Sequence, residues 1–111
     1  MPEYVIERRQ TQVCVTLGGD LTAAIVPGLQ ADLKGALGQG ATDVEFDLAG
    51  ATQLDSSGIG LLIAAANSAR RLGGRLCVTR ASADISQLLQ SMRLASRLNV
   101  TGRADQEASR G

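Results

Sequence analysis

Residues 43–79, DVEFDLAGATQLDSSGIGLLIAAANSARRLGGRLCVT, hold two short alternating runs on either side of one long apolar helix pattern. From Asp43 to Leu48, Val44, Phe46 and Leu48 fall in one phase, and Glu45 and Asp47 fall in the other. That is the period of a strand with one buried face. A loop, 49–55, follows. Ile59, Leu62, Ile63 and Ala66 then keep the i, i+3, i+4, i+7 spacing, and Leu72 extends the stripe, which predicts a helix over 57–72. Ala64, Ala65, Ala66 and Ala69 keep this helix thin enough to pack closely on a sheet. Arg70 and Arg71 suit the negative end of its dipole, and Gly73-Gly74 stops it. Alternation returns in Arg75 to Thr79, with Leu76 and Val78 in phase. Strand, helix and strand in this order predict parallel strands joined by a right-handed crossover.

The flanking sequence extends the pattern on both sides. Tyr4-Val5-Ile6 reads as a short first strand, and Gln12 to Leu17 as a second, with Val13, Val15 and Leu17 on one face. Gly18-Gly19-Asp20 breaks it. Val26, Leu29, Leu33 and Leu37 form a helical stripe, with Pro27 suited to the first turn and Gly38 and Gly40 at its end. Downstream, Ile85, Leu88, Leu89 and Met92 predict a third amphipathic helix, capped by Ser82 or Asp84. Leu98-Asn99-Val100 reads as a short last strand. The expected fold is α/β: one domain over 1–102, with a mixed, mostly parallel sheet of four to five strands and helices packed on it. The polar stretch 103–111 is expected to be a flexible tail.

Composition narrows the chemistry. The 111 residues carry eleven basic and eleven acidic side chains, so no net charge draws the chain to nucleic acid or to anionic lipid. One Phe, one Tyr and no Trp leave no stacking platform for single strands. Histidine is absent, which rules out a Ser-His-Asp triad and any His-containing zinc site. Cys14 and Cys77 lie far apart with no ligand cluster, so they read as small strand residues kept reduced, and no metal or cofactor is expected. The N-terminus lacks an apolar signal-peptide core, and the longest apolar stretch, 59–66, is too short to insert in a membrane. A cytoplasmic location is therefore expected.

The segment richest in information is Leu54-Asp55-Ser56-Ser57-Gly58-Ile59-Gly60, at the junction of strand and helix. The end of a parallel strand is a common place for function. Asp55 suits the N-cap, accepting from the amides of Ser57 or Gly58, and Leu54 and Ile59 suit the hydrophobic staple. Ser56 then opens the helix, near unpaired N–H groups and the positive dipole end. Gly58 and Gly60 leave room for another chain to approach. The same four residues, Asp-Ser-Ser-Gly, also read simply as a good helix start. Leu54 stands where a Gly-x-Ser-x-Gly elbow needs its first glycine, and Ile63 where a dinucleotide fingerprint needs its third. The lysine of a P-loop is missing too.

With these residues in place, the chain resembles the STAS domains of bacterial anti-sigma-factor antagonists over about residues 4 to 100. The resemblance runs through Leu17-Gly18-Gly19-Asp20-Leu21, Phe46-Asp47-Leu48, Leu54 to Gly60, Gly73-Gly74 and Leu88-Leu89-Gln90-Ser91-Met92. It implies a STAS-like domain of four or five strands. It also implies a partner-switching module that is not an enzyme. Ser56 would be the residue phosphorylated by an anti-sigma factor that is itself a serine kinase of the histidine-kinase-like ATPase class. The unphosphorylated form would bind that partner and free the sigma factor, and a PP2C-type phosphatase would reset it. Asp20, Thr22, Asp55, Ser57, Gly58, Ile59 and Gly60 would surround the phosphosite and meet the partner. Two departures stand out. Gly19-Asp20-Leu21-Thr22 replaces the common Gly-Glu-Leu-Asp, so Thr22 takes the place of an acid near the phosphosite. Arg93-Leu94 replaces Gly-Leu in the turn after the last helix. The alternative function is a STAS subunit of a membrane phospholipid-trafficking ABC transporter complex, docked on its ATPase.

Overall fold

A computed structural model describes residues 3–101 of the chain. The expected tail, 103–111, and the domain boundary at 102 lie outside the described residues. Seven elements run in order: β1 (Tyr4–Arg9), β2 (Gln12–Leu17), α1 (Val26–Gly38), β3 (Asp43–Asp47), α2 (Ser56–Arg71), β4 (Leu76–Thr79) and α3 (Ala83–Ser91). The sheet order is β1-β2-β3-β4. β1 and β2 form an antiparallel hairpin, and β2, β3 and β4 are parallel. The α1 and α2 segments are the crossovers that such parallel neighbours require.

Alternation decides which face of the sheet is dry. Val13, Val15 and Leu17 of β2, Val44 and Phe46 of β3, and Leu76 and Val78 of β4 are all buried. They form one core with Leu29 and Leu33 of α1, Leu61, Leu62, Ala65, Ala66 and Ala69 of α2, and Ile85 and Leu89 of α3. The residues of opposite phase, Cys14, Glu45, Asp47, Cys77 and Thr79, are only half-buried. The fold therefore has two layers, with helices on one face and the other face open to water. The alanines of α2 let its backbone approach this core closely, as their small size predicts.

That register also settles the cysteines. Cys14 pairs with Glu45, and Glu45 pairs with Cys77. Two strand spacings put the cysteine Cα atoms about 9–10 Å apart, beyond the roughly 7 Å that a disulfide spans. Both thiols are free. Burial, followed by the charge of the Glu45 carboxylate 3.9 Å from Sγ, pushes the Cys14 thiol above its ordinary pKa.

Two expectations at the C-terminal end need correction, and the turn that follows α3 is unusual. Leu98-Asn99-Val100 is not a strand. It touches the sheet through one parallel bridge, Val78 to Val100, because Asn99 adopts a left-handed backbone at φ +50°. Met92 is not part of the buried stripe of α3. It follows the helix and is 46% exposed. Arg93 adopts φ +59°, the region where glycine is favoured, while its N–H donates to the Gln90 carbonyl at 2.9 Å. The Leu94 N–H returns to the Leu89 carbonyl at 2.8 Å. This is a left-handed helix terminus made without the usual glycine.

Candidate functional site

Two loops meet at the C-terminal ends of the parallel strands: 18–25, between β2 and α1, and 48–55, between β3 and α2. Backbone pairing stitches them together. The Leu21 N–H donates to the Gln53 carbonyl at 3.3 Å, and the Asp55 N–H donates to the Leu21 carbonyl at 3.2 Å. Leu21 and Leu54 form a parallel bridge, and the Leu21 side chain is fully buried. The start of α2 is thus held by a loop more than thirty residues earlier in the chain.

Two aspartates tie the same junction. Asp20 Oδ1 accepts from the Thr52 N–H at 2.8 Å, the Thr52 hydroxyl at 2.9 Å and the Gln53 N–H at 3.1 Å. Asp55 divides its oxygens. Oδ1 accepts from the Gly58 N–H at 2.9 Å, the N-cap bond of α2, and Oδ2 accepts from the Ala23 N–H at 2.9 Å. Hydrogen bonds to the charged form favour it. The bonds from Thr52 and then Gln53 hold the Asp20 carboxyl below the usual carboxylate range. The amides of Gly58 and then Ala23 do the same for Asp55. Both acids are engaged by donors from their own chain.

Ser56 follows Asp55 as the first residue of α2, and it is exposed. Ser57 is half-buried, Ile59 is half-buried against the core, and Gly60 is exposed with nothing near where a side chain would begin. Gly58 departs from the expectation that it leaves room for another chain. A Cβ there would strike the Leu21 carbonyl oxygen and lie 2.9 Å from Leu21 Cγ, so the space is already filled from within. Only Gly60 offers a close approach from outside. Asp20 lies at the same junction. Its bonds run to Thr52 and Gln53, so it supports the loop ahead of Ser56 rather than the serine itself. Thr22 is half-buried, and its carbonyl accepts the first N–H groups of the turn into α1, those of Ile25 at 3.0 Å and Val26 at 3.1 Å.

Ala23, Thr52 and Gln53 were not singled out in the sequence, and Leu21 appeared only as part of a quoted motif. Three of these four act at this junction through backbone groups, which no residue type advertises, and Thr52 adds only a small hydroxyl. The arrangement displays one exposed hydroxyl at a positive helix end, on a rigid base. The carboxylate of the preceding residue, Asp55, is pinned by the amides of Gly58 and Ala23. Among the described residues no cluster of His, Cys, Asp or Glu could hold a metal.

Comparison with known proteins places this geometry. No curated protein matches the sequence. Solved structures do. The anti-sigma factor antagonist SpoIIAA in its unphosphorylated form is 21% identical, with 95% of this chain and 93% of that chain covered at a TM-score of 0.75. The Bacillus SpoIIAA in its phosphorylated form is 20% identical, with 96% and 97% covered at a TM-score of 0.75. A putative anti-sigma factor antagonist from Thermotoga maritima is 12% identical, with 96% and 92% covered at a TM-score of 0.82. At these identities the likeness establishes the fold. The family model described as "Mlab, STAS domain" matches residues 5–102. That match takes in both stitched loops and every strand but the first residue of β1, and on it the chain belongs to the STAS-domain family.

Proposed function

We propose that this protein is an anti-sigma-factor antagonist, a cytoplasmic binding module without catalytic activity of its own. A partner kinase of the histidine-kinase-like ATPase class phosphorylates Ser56, and this breaks the complex. A PP2C-type phosphatase restores it. The observation that carries the reading is the exposed Ser56 at the first position of α2, on a junction fixed by Asp20 and Asp55. A phosphate adds about −1.5 to −2 charge, which a helix N-terminus accepts. The fold then survives modification, and the likeness to SpoIIAA at the same TM-score in both forms supports this. The partner surface does not survive it. Like-charge repulsion and desolvation across a close contact cost several kcal/mol, or roughly a thousandfold in affinity. Asp55 acts as a cap rather than as a base, so metal and nucleotide come from the kinase.

The test uses the cognate kinase, ATP and mass spectrometry. Ser56→Ala is expected to abolish labelling and still bind. Ser57→Ala is expected to remain a substrate. Ser56→Asp is expected to fold normally and bind weakly. Labelling of Ser56→Ala at the wild-type level, or undiminished binding by Ser56→Asp, would refute the switch at this residue.

The match to the "Mlab, STAS domain" model supports a second reading. In it, the same surface docks on the ATPase of a membrane phospholipid-trafficking ABC transporter complex, with no phosphorylation. Capture of transporter subunits from native lysate, with Ser56 unmodified in every fraction, would favour this reading over the first.

A further inference from the structure

A second feature lies at the far end of α2 and is independent of Ser56. α1 and α2 run side by side, and between their C-terminal halves is a groove of about 330 Å³. Leu33, Leu37, Leu61, Ala64, Ala65 and Leu72 make it apolar, and Lys34 and Arg71 line it as well. Ser68 lies about 18 Å along the helix from Ser56, at 1.5 Å per residue.

Sequence explains why the groove exists. On the α2 face toward α1, the residues at helical spacing are Leu61, Ala64, Ala65, Ser68, Arg71 and Leu72. Large residues stand at the ends and small ones in the middle. The facing wall of α1 supplies Gln30, Leu33, Lys34, Leu37 and Gly38 against that hollow. Apolar surface is left in water as a result. Leu72 is 47% exposed, and Ala64 is exposed.

Charge selects the occupant. Among the described residues no carboxylate lines the groove. Arg71 donates from Nη2 to Ser68 Oγ at 3.1 Å, and both residues line the groove. Lys34 is exposed on the opposite wall. Small-molecule sites are typically concave, apolar and about 300–1,000 Å³ in volume, with a few placed polar groups that fix orientation. We propose that this groove binds a linear anionic amphiphile, a medium-chain carboxylate. Its chain lies over Ala64 and Ala65, and its head lies between Lys34 and Arg71.

The experiment titrates the full chain with decanoate below its micelle concentration and follows backbone amide shifts by NMR. Decyltrimethylammonium and decanol serve as controls. Saturable shifts confined to residues 30–38 and 61–72 are expected with decanoate, weaker ones with decanol, and none with the cation. Lys34→Ala and Arg71→Ala should each weaken binding up to about fivefold, the scale of an exposed charge contact. Ala64→Leu fills the groove from an exposed position and should abolish binding with an unchanged circular dichroism spectrum. Ser68→Leu repeats the test should Ala64→Leu unfold. Equal binding of decanoate and the cation, or undiminished binding by the folded filled-groove variant, overturns the proposal. So does a concentration-dependent dimer that shows the same shifts without any amphiphile, because a second copy would then be the occupant.

Discussion

Gly58 and Gly60 lie two residues apart on α2, and replacing each by alanine should shift stability in opposite directions. At Gly60 a Cβ meets nothing within 4 Å, and the backbone is helical. Alanine there lowers the entropy of the unfolded chain and favours the helix, a gain of roughly 0.5–1 kcal/mol. At Gly58 the same helical gain is available, but the Cβ runs into the Leu21 carbonyl oxygen and approaches Leu21 Cγ to 2.9 Å. The obstacle is backbone, so no rotamer change relieves it. Overpacking of this kind costs about 1–3 kcal/mol. Moving the helix start away also lengthens the bond from the Gly58 N–H to Asp55 Oδ1, an N-cap interaction worth about 0.5–2 kcal/mol. The net expectation for Gly58→Ala is a loss of about 2–3 kcal/mol. In a domain of this size, 1 kcal/mol moves the midpoint by about 4–8 °C. Thermal unfolding followed by circular dichroism should therefore place Gly58→Ala at least about 8 °C below wild type and Gly60→Ala a few degrees above it. A Gly58→Ala protein that melts within about 2 °C of wild type would refute the claim that Leu21 holds the start of α2.

Other consequences are equally direct. Arg93 pays a conformational cost at φ +59°, so Arg93→Gly should raise stability by about 0.5–1 kcal/mol in urea unfolding, although glycine usually destabilises. Ser86 is buried in α3 with a hydroxyl that has no hydrogen-bond partner among the described residues. Ser86→Ala should accordingly stabilise by about 1 kcal/mol, and a clear loss of stability would show that the hydroxyl is satisfied after all. The carboxyls of Asp20 and Asp55 are held below the usual range in the folded state, so on acidification the unfolded chain takes up protons first. Their contribution is fully present above the ordinary carboxylate value and is lost as pH falls from there through the folded values. The melting temperature should therefore drop between about pH 5 and pH 3, and the drop should be smaller in Asp20→Asn, which titrates one fewer such group.

The strands and helices were legible because each shows one period over enough residues. Val44, Phe46 and Leu48 mark a face of β3, and Ile59 to Leu72 mark α2, without reference to anything distant. The cap at Asp55 was legible for the same reason, since its bond to the Gly58 amide spans three residues. The sequence alone thus determined the α/β order, the place of Ser56 at a helix start, and, in a chain without histidine, the exclusion of a Ser-His-Asp triad. It could not determine what lies over Gly58, because the Leu21 carbonyl comes from a loop 37 positions away and a carbonyl looks alike on every residue. Nor could it show that Asp20 bonds Thr52 and Gln53, or that Asp55 shares its second oxygen with Ala23. The stripe of α3 was carried one residue too far, to Met92, because periodicity does not register where the chain turns left-handed at Arg93. The groove between α1 and α2 was invisible for a related reason. Ala64 and Ser68 are ordinary helix residues, and only packing two helices on one sheet decides that the small side chains of α2 leave a gap against α1.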